Sequence, residues 1–222
     1  MASNGDGVWA GSRRLQNLAR HFCLVQKQPP SPGFTNQAAV LICLFQGDDG
    51  HLRVILTKRA PSLSSYSGEV ALPGGKVEEG DADYVDTALR EAKEEIGLDP
   101  SQVNVVTVLH PFVAKRNVLV VPVIGLLSEK KKFNPVPNDG EVEAIFDEAK
   151  YKGEEFLCNF FDFETDNKKY VIWALTAEIL IRAASIVYQR PPAFVERSPK
   201  FWSLGAVEDA TTTQIQSTPQ FS

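Results

Sequence analysis

Between Leu72 and Leu98 the chain reads LPGGKVEEGDADYVDTALREAKEEIGL, and the second half of this stretch constrains the fold most. Ala88, Leu89, Ala92 and Ile96 recur at helical spacing, so a helix here must lie with one apolar stripe on a core. Gly97 suits the left-handed position that ends a helix, and Asp81 or Asp83 suits its N-cap. Glu91, Glu94 and Glu95 then stand three and four residues apart on a separate face. Like charges so placed cost about 0.2–0.5 kcal/mol per pair. The C-terminal end of a helix is also partially negative, which adds to that cost. A bound cation would offset both; a solvated face with Arg90 and Lys93 as partners is the plainer alternative.

Around this helix the sequence alternates between extended and helical patterns. Residues 12–28 mix apolar and basic side chains as a short amphipathic helix, and QPPSPGF closes it as a linker. AAVLICLF (38–45) predicts a buried strand, GDDG (47–50) a hairpin turn, and LRVILTKR (52–59) the returning strand. EVALPGG predicts a short strand entering a glycine turn. Further strands are expected over 103–115 and 118–127, then one from EVEAIF and one within EEFLCNFFDFE. The pattern predicts an α/β fold, a mixed sheet between helices. The expected organisation is an N-terminal helix and linker over 1–34, one domain over 35–204, and a polar, disordered tail over 205–222.

The longest apolar run, Tyr170 to Tyr188, carries Glu178 and Arg182 at its middle, which is costly in lipid. It predicts a core helix rather than a membrane span. A net charge of −5 gives no general argument for nucleic acid or an anionic membrane as partner. The three cysteines, Cys23, Cys43 and Cys158, lack CxxC spacing, so reduced thiols are expected. The N-terminus lacks the apolar segment of a secretory signal. Cytoplasmic residence is the default; two adjacent arginines leave an organellar address open, and a homodimer is left open as well.

The stretch from Gly74 to Leu98 resembles the Nudix box. Its closing half, Arg-Glu-apolar-x-Glu-Glu-x-Gly-apolar, is matched by Arg90 through Leu98, and its opening glycine by Gly74 and Gly75 after Pro73. One departure is an extra residue: five residues separate Asp81 from Gly75, but eight separate it from Arg90. Asp81 or Asp83 can hold Arg90. The resemblance implies an α/β/α sandwich with a mixed central sheet and a pyrophosphohydrolase using Mg²⁺ or Mn²⁺. It implies Glu91, Glu95, Glu94 and the Gly74 carbonyl as ligands, with Arg90 orienting Glu91 from behind. Hard oxygen ligands suit such ions.

Upstream, ILTKRAPSLSSYSGEVALPGG (55–75) resembles the extra motif of the coenzyme A diphosphatase branch. Thr57, Arg59, Ala60, Gly68, Pro73, Gly74 and Gly75 agree with it, whereas Ser64 replaces its second arginine. From Leu52 to Trp202 the chain resembles small plant Nudix hydrolases of this branch, except that DEAKYKGEE after Phe146 is short. The resemblance implies cleavage of coenzyme A or acyl-CoA to 3',5'-ADP and a 4'-phosphopantetheine product, with ADP-ribose or NADH hydrolysis as the alternative. A catalytically weak nucleotide-binding module is the reading from another class. Glu94, Glu141 and Glu143 are the candidates for general base. Arg59, Lys58, Lys115 and Arg116 are candidate phosphate contacts, and Gly68 and Gly75 offer bare backbone to a small nucleotide substrate.

Overall fold

The computed structural model of the protein describes residues 12–22, 34–63, 66–127, 129–138, 141–146, 160–165 and 168–194, without the side chains of Lys115 and 142–146. Two long strands organise it, β1 (Gln37–Gln46) and β8 (Val118–Leu127), which pair in parallel. Both are apolar on both faces, as expected of a strand buried on two sides. Ala39, Leu41, Cys43, Leu119, Val121 and Val123 belong to one core cluster. Ile42, Leu44, Val120, Ile124 and Leu126 belong to the other.

Each cluster is completed by a helix. Helix α2 (Tyr84–Ile96) supplies Ala88, Ala92 and Ile96 to the first. Helix α3 (Ala174–Tyr188) supplies Ala177, Ile179, Ile181 and Ala183 to the second. Helix α1 (Arg13–His21) adds Leu15 and Leu18 to the second layer, its N-terminus capped by the Ser12 hydroxyl. The result is a sheet between helices, an α/β/α sandwich.

The central sheet runs β2-β1-β8-β6, with β2 (Leu52–Val54) and β6 (Val103–Val108) antiparallel to their neighbours. Strand β5 (Gly74–Lys76) also pairs antiparallel with β1, and β7 (Phe112–Ala114) with β8. A second sheet has the order β4-β3-β9, from β3 (Leu56–Arg59), β4 (Val70–Ala71) and β9 (Val142–Phe146). Strands β10 (Phe160–Thr165) and β11 (Lys168–Trp173) form a hairpin.

Two expectations need correction. Residues 52–59 are not one strand: the chain bends at Ile55, whose N–H donates to the Cys43 carbonyl, and β2 and β3 enter different sheets. Ile55 packs in the α2 layer and Leu56 in the α3 layer, so the continuous apolar run conceals a crossing between layers. The run from Tyr170 is not all helix either. Tyr170 and Ile172 are buried and Val171 is exposed, the alternation of a strand, and the helix begins only at Ala174. Arg182 on that helix lies over the Phe112 ring, 4.6 Å from its centroid. Among the described residues no helix is long and apolar enough to cross a membrane. Cys43 is buried, which pushes its thiol up to about 12. Cys23, Cys158, Ser64, the segment after Phe146 and the tail from Gly205 lie outside the described residues.

Candidate active site

The ends of α2 show how its acids are aimed. Asp83 is the N-cap, its carboxylate accepting from the Val85 and Asp86 amides at 2.9 and 3.0 Å. At the other end Gly97 takes the left-handed conformation (φ 69°), and the Gly97 and Leu98 amides close back on Lys93 and Ala92. With its rotation set by Ala88, Ala92 and Ile96 against β1, the helix turns Glu91 and Glu95 toward β5. Glu94 points outward, its side chain 54% exposed.

Glu95 is buried. Its Oε2 accepts the Gly74 amide at 3.0 Å, and its Oε1 lies 3.9 Å from an Arg59 guanidinium nitrogen. Arg59 sits at the end of β3, and its buried Nε has no hydrogen-bond partner. The turn must be bare for this approach: a Cβ on Gly75 would run into the Glu91 carboxylate, and one on Gly74 into the Ala39 carbonyl.

With Asp83 used as the cap, Asp81 holds Arg90. Its two oxygens accept from Arg90 Nε and Nη2 at 3.0 and 3.1 Å, a two-pronged carboxylate–guanidinium pair. The extra residue in the loop therefore leaves the acid–arginine contact intact. Arg90 also donates to the Lys76 carbonyl (2.9 Å), Glu91 (3.1 Å) and Glu94 (3.2 Å). One cation thus ties together the loop, β5 and two of the helix acids.

Burial raises the Glu91 carboxyl, opposed by Arg90 and reinforced by the charges of Glu94 and Glu141. Burial likewise pushes Glu95 up to about 7, against the Gly74 N–H and Arg59, with Glu91 and Glu141 adding to the rise. Glu141 comes from a turn before β9, where its carbonyl accepts the Ala60 amide at 2.8 Å. The negative charge of Glu141 thus adds to the mutual repulsion of Glu91 and Glu95, which a cation would relieve.

Among the described residues, no three Asp, Glu, His or Cys side chains are gathered as they stand to hold one ion. The donor chemistry nevertheless suits a hard divalent cation: two carboxylates one helical turn apart, both resisting ionisation, beside a bare turn. Of the other sequence candidates, Lys58 lies on β3 next to Arg59, and Arg116 stands exposed between β7 and β8 with φ 62°. Gly68 takes φ 72° and donates its N–H to the Arg59 carbonyl, which shapes the loop behind that arginine. The side chains of Lys115 and Glu143 lie outside the description.

Beside the Gly74–Gly75 turn, on the α3 face of the sheet, lies a cavity of about 340 Å³ whose wall includes Arg59, Lys76, Val40, Trp173 and Leu175. Sequence reasoning missed the wall made by Trp173 and Leu175, because nothing local marks them as lying on one cavity with Gly74.

The NUDIX domain model matches residues 35–171. Over 180 residues the chain is 59% identical to "Nudix hydrolase 15, mitochondrial" from Arabidopsis thaliana, covering 74% of this chain and 63% of that protein. It thus spans less than two thirds of that relative's length. It is 33% identical over 177 residues to "Peroxisomal coenzyme A diphosphatase NUDT7" from Mus musculus, covering 72% of this chain and 74% of that one. Among solved structures, a MutT/nudix family protein from Enterococcus faecalis superposes with a TM-score of 0.51 at 17% identity, covering 85% of this chain and 76% of that one, a likeness of fold.

Proposed function

Because the chain belongs to the Nudix family, we propose that it hydrolyses the diphosphate linkage of a nucleoside-diphosphate derivative, with coenzyme A and its acyl esters as first choice. The observation that carries this reading is Glu95, a buried carboxylate held by the Gly74 amide, facing Arg59 and crowded by Glu91 and Glu141. Glu91, Glu95 and the Gly74 turn would hold Mg²⁺ or Mn²⁺, with Glu94 at the exposed edge. Such an ion neutralises diphosphate charge and makes a bound water more acidic.

The protein's own groups do the rest. Arg59, whose Nε lacks a hydrogen-bond partner, would donate to a phosphate oxygen. Arg90, anchored by Asp81, would keep Glu91 in place through the 3.1 Å hydrogen bond between them. Water adds to one phosphorus, the bridging P–O bond breaks, and the water proton passes to a carboxylate. Glu141 is the favoured acceptor: it acts electrostatically on both inner acids, whereas Glu94 is bound to Arg90.

Coenzyme A is preferred on the Thr57–Gly75 motif and on the mouse relative named a coenzyme A diphosphatase. Comparing kcat/KM for coenzyme A, ADP-ribose and NADH tests this, with products identified by mass. ADP-ribose as the better substrate would move the assignment to the alternative; turnover of none would leave a binding module. For location, the cytoplasmic expectation has a competitor in the mitochondrial name of the Arabidopsis relative.

A further inference from the structure

The last carbonyls of an α-helix have no partner within it. In α2 the Gly97 amide takes that of Lys93, and the two final ones are taken from a distant loop. The Asn138 N–H donates to the Glu95 carbonyl at 2.8 Å, and the Val136 N–H to the Ile96 carbonyl at 3.0 Å. The sequence of that loop is NPVPN (134–138). Proline has no N–H, so Pro135 and Pro137 leave only alternate residues as donors, and each holds φ at about −65°. A segment so restricted has little freedom to lose when it is fixed. Gly97 lets it lie close, since a Cβ there would stand 3.2 Å from that of Val136.

This strap leads to Glu141. The Glu141 N–H donates to the Asn138 carbonyl at 2.8 Å, and the Asn138 side-chain amide donates to the Glu141 carboxylate in a longer contact of 3.4 Å. Asn138 therefore holds the end of α2 with its N–H, and Glu141 with its carbonyl and side chain. The helix that carries the buried Glu95 is tied through one residue to the acid whose charge acts on Glu91 and Glu95. From β3 the Ala60 amide, next to Arg59, holds the Glu141 carbonyl.

We propose that Asn138 is a positioning residue, whose N–H on the end of α2 and side-chain amide on Glu141 set where the Glu141 carboxylate stands relative to Glu91 and Glu95. The inference rests on the reading that Glu141 accepts the water proton.

The test uses the full chain with Mg²⁺ and whichever of coenzyme A and ADP-ribose it turns over faster. Asn138→Ala removes the side-chain amide and keeps the backbone tie; Pro137→Gly loosens the strap and keeps every polar group. Each should lower kcat about tenfold with KM within about twofold, as expected when a reacting group is misplaced. Asn138→Gln, which restores an amide, should recover part of the loss. The deciding measurement repeats Asn138→Ala and Pro137→Gly in a Glu141→Gln background. If they act through Glu141, they cost nothing further there. An equal loss in both backgrounds, or no loss in either, overturns the proposal. Crystal structures of the wild type and Asn138→Ala add a readout free of turnover: a displaced Glu141 carboxylate supports the proposal and an unmoved one overturns it. If the wild type cleaves no diphosphate, or Glu141→Gln keeps full kcat, the catalytic reading fails, and the crystals still decide whether Asn138 holds Glu141.

Discussion

Asp81→Asn isolates the contact that the extra loop residue left in question. The Asp81 carboxylate is 7% exposed, and it accepts from Arg90 twice, from the Thr87 hydroxyl at 2.8 Å and from the Glu78 amide at 2.9 Å. Arg90 first, then these neutral donors, pull it from 3.8 to about 2, against the opposing effect of burial. That is a little under two pH units, and at 1.36 kcal/mol per unit it amounts to roughly 2 kcal/mol of stability at pH 7. Asparagine keeps the shape but turns an N–H₂ toward one of these donors. We expect urea unfolding at pH 7 to show a loss of about 2 kcal/mol with an unchanged m-value.

The sign of the pH effect follows from the depressed folded-state value. The carboxylate's contribution is complete above the unfolded value of 3.8 and disappears as pH falls through about 2. The gap between wild type and variant should therefore hold from pH 7 to about 5 and close toward pH 2. Asp83→Asn is the control, because asparagine caps a helix about as well as aspartate. A loss under about 0.5 kcal/mol for Asp81→Asn, ordinary for a surface change, or a gap that persists at acid pH, would refute the assignment of Asp81 as the anchor of Arg90.

Glu95→Gln should abolish turnover while the fold survives, since glutamine still accepts the Gly74 amide; near-normal kcat would reject the ligand role. The same variant tests linkage. Glu95 is raised to about 7, so in EDTA its contribution is complete below about pH 4.5 and lost as pH rises through 7. Wild-type Tm in EDTA should fall across that window, and the variant's should fall less. The two turn glycines should fail differently. Gly75→Ala meets the movable end of Glu91 first, so activity drops while Tm holds; Gly74→Ala meets the Ala39 carbonyl and costs about 1–3 kcal/mol. Equal thermal losses for the two would contradict the close approach described for the turn.

Much of this was readable in the chain. The period of Ala88, Ala92 and Ile96 set which side of α2 is buried, and so which side carries the acids. Gly97 ended the helix where its conformational freedom allows. The double-sided apolarity of 38–45 and 118–127 announced a sheet covered on both faces. Other features left no local trace. Two aspartates two residues apart were equally good caps and equally good partners for Arg90. Only the folded loop, which gives Asp83 to the helix amides and Asp81 to the guanidinium, separated them. Val54, Ile55 and Leu56 are consecutive apolar residues, so the bend at Ile55 interrupts no period and was invisible. Tyr170 to Trp173 merged into α3 because a short strand and a helix end can share one apolar string.

By itself, then, the order of residues determined the acidic helix, the glycine turn before it and the layered fold, because side-chain spacing along one element depends only on that element's own geometry. Tertiary structure alone decided what stands opposite each carboxylate. Arg59 meets Glu95 across 36 positions of sequence, and Trp173 shares a cavity wall with Gly74 across 99. Such meetings are made by strand register and by helices packing across a sheet.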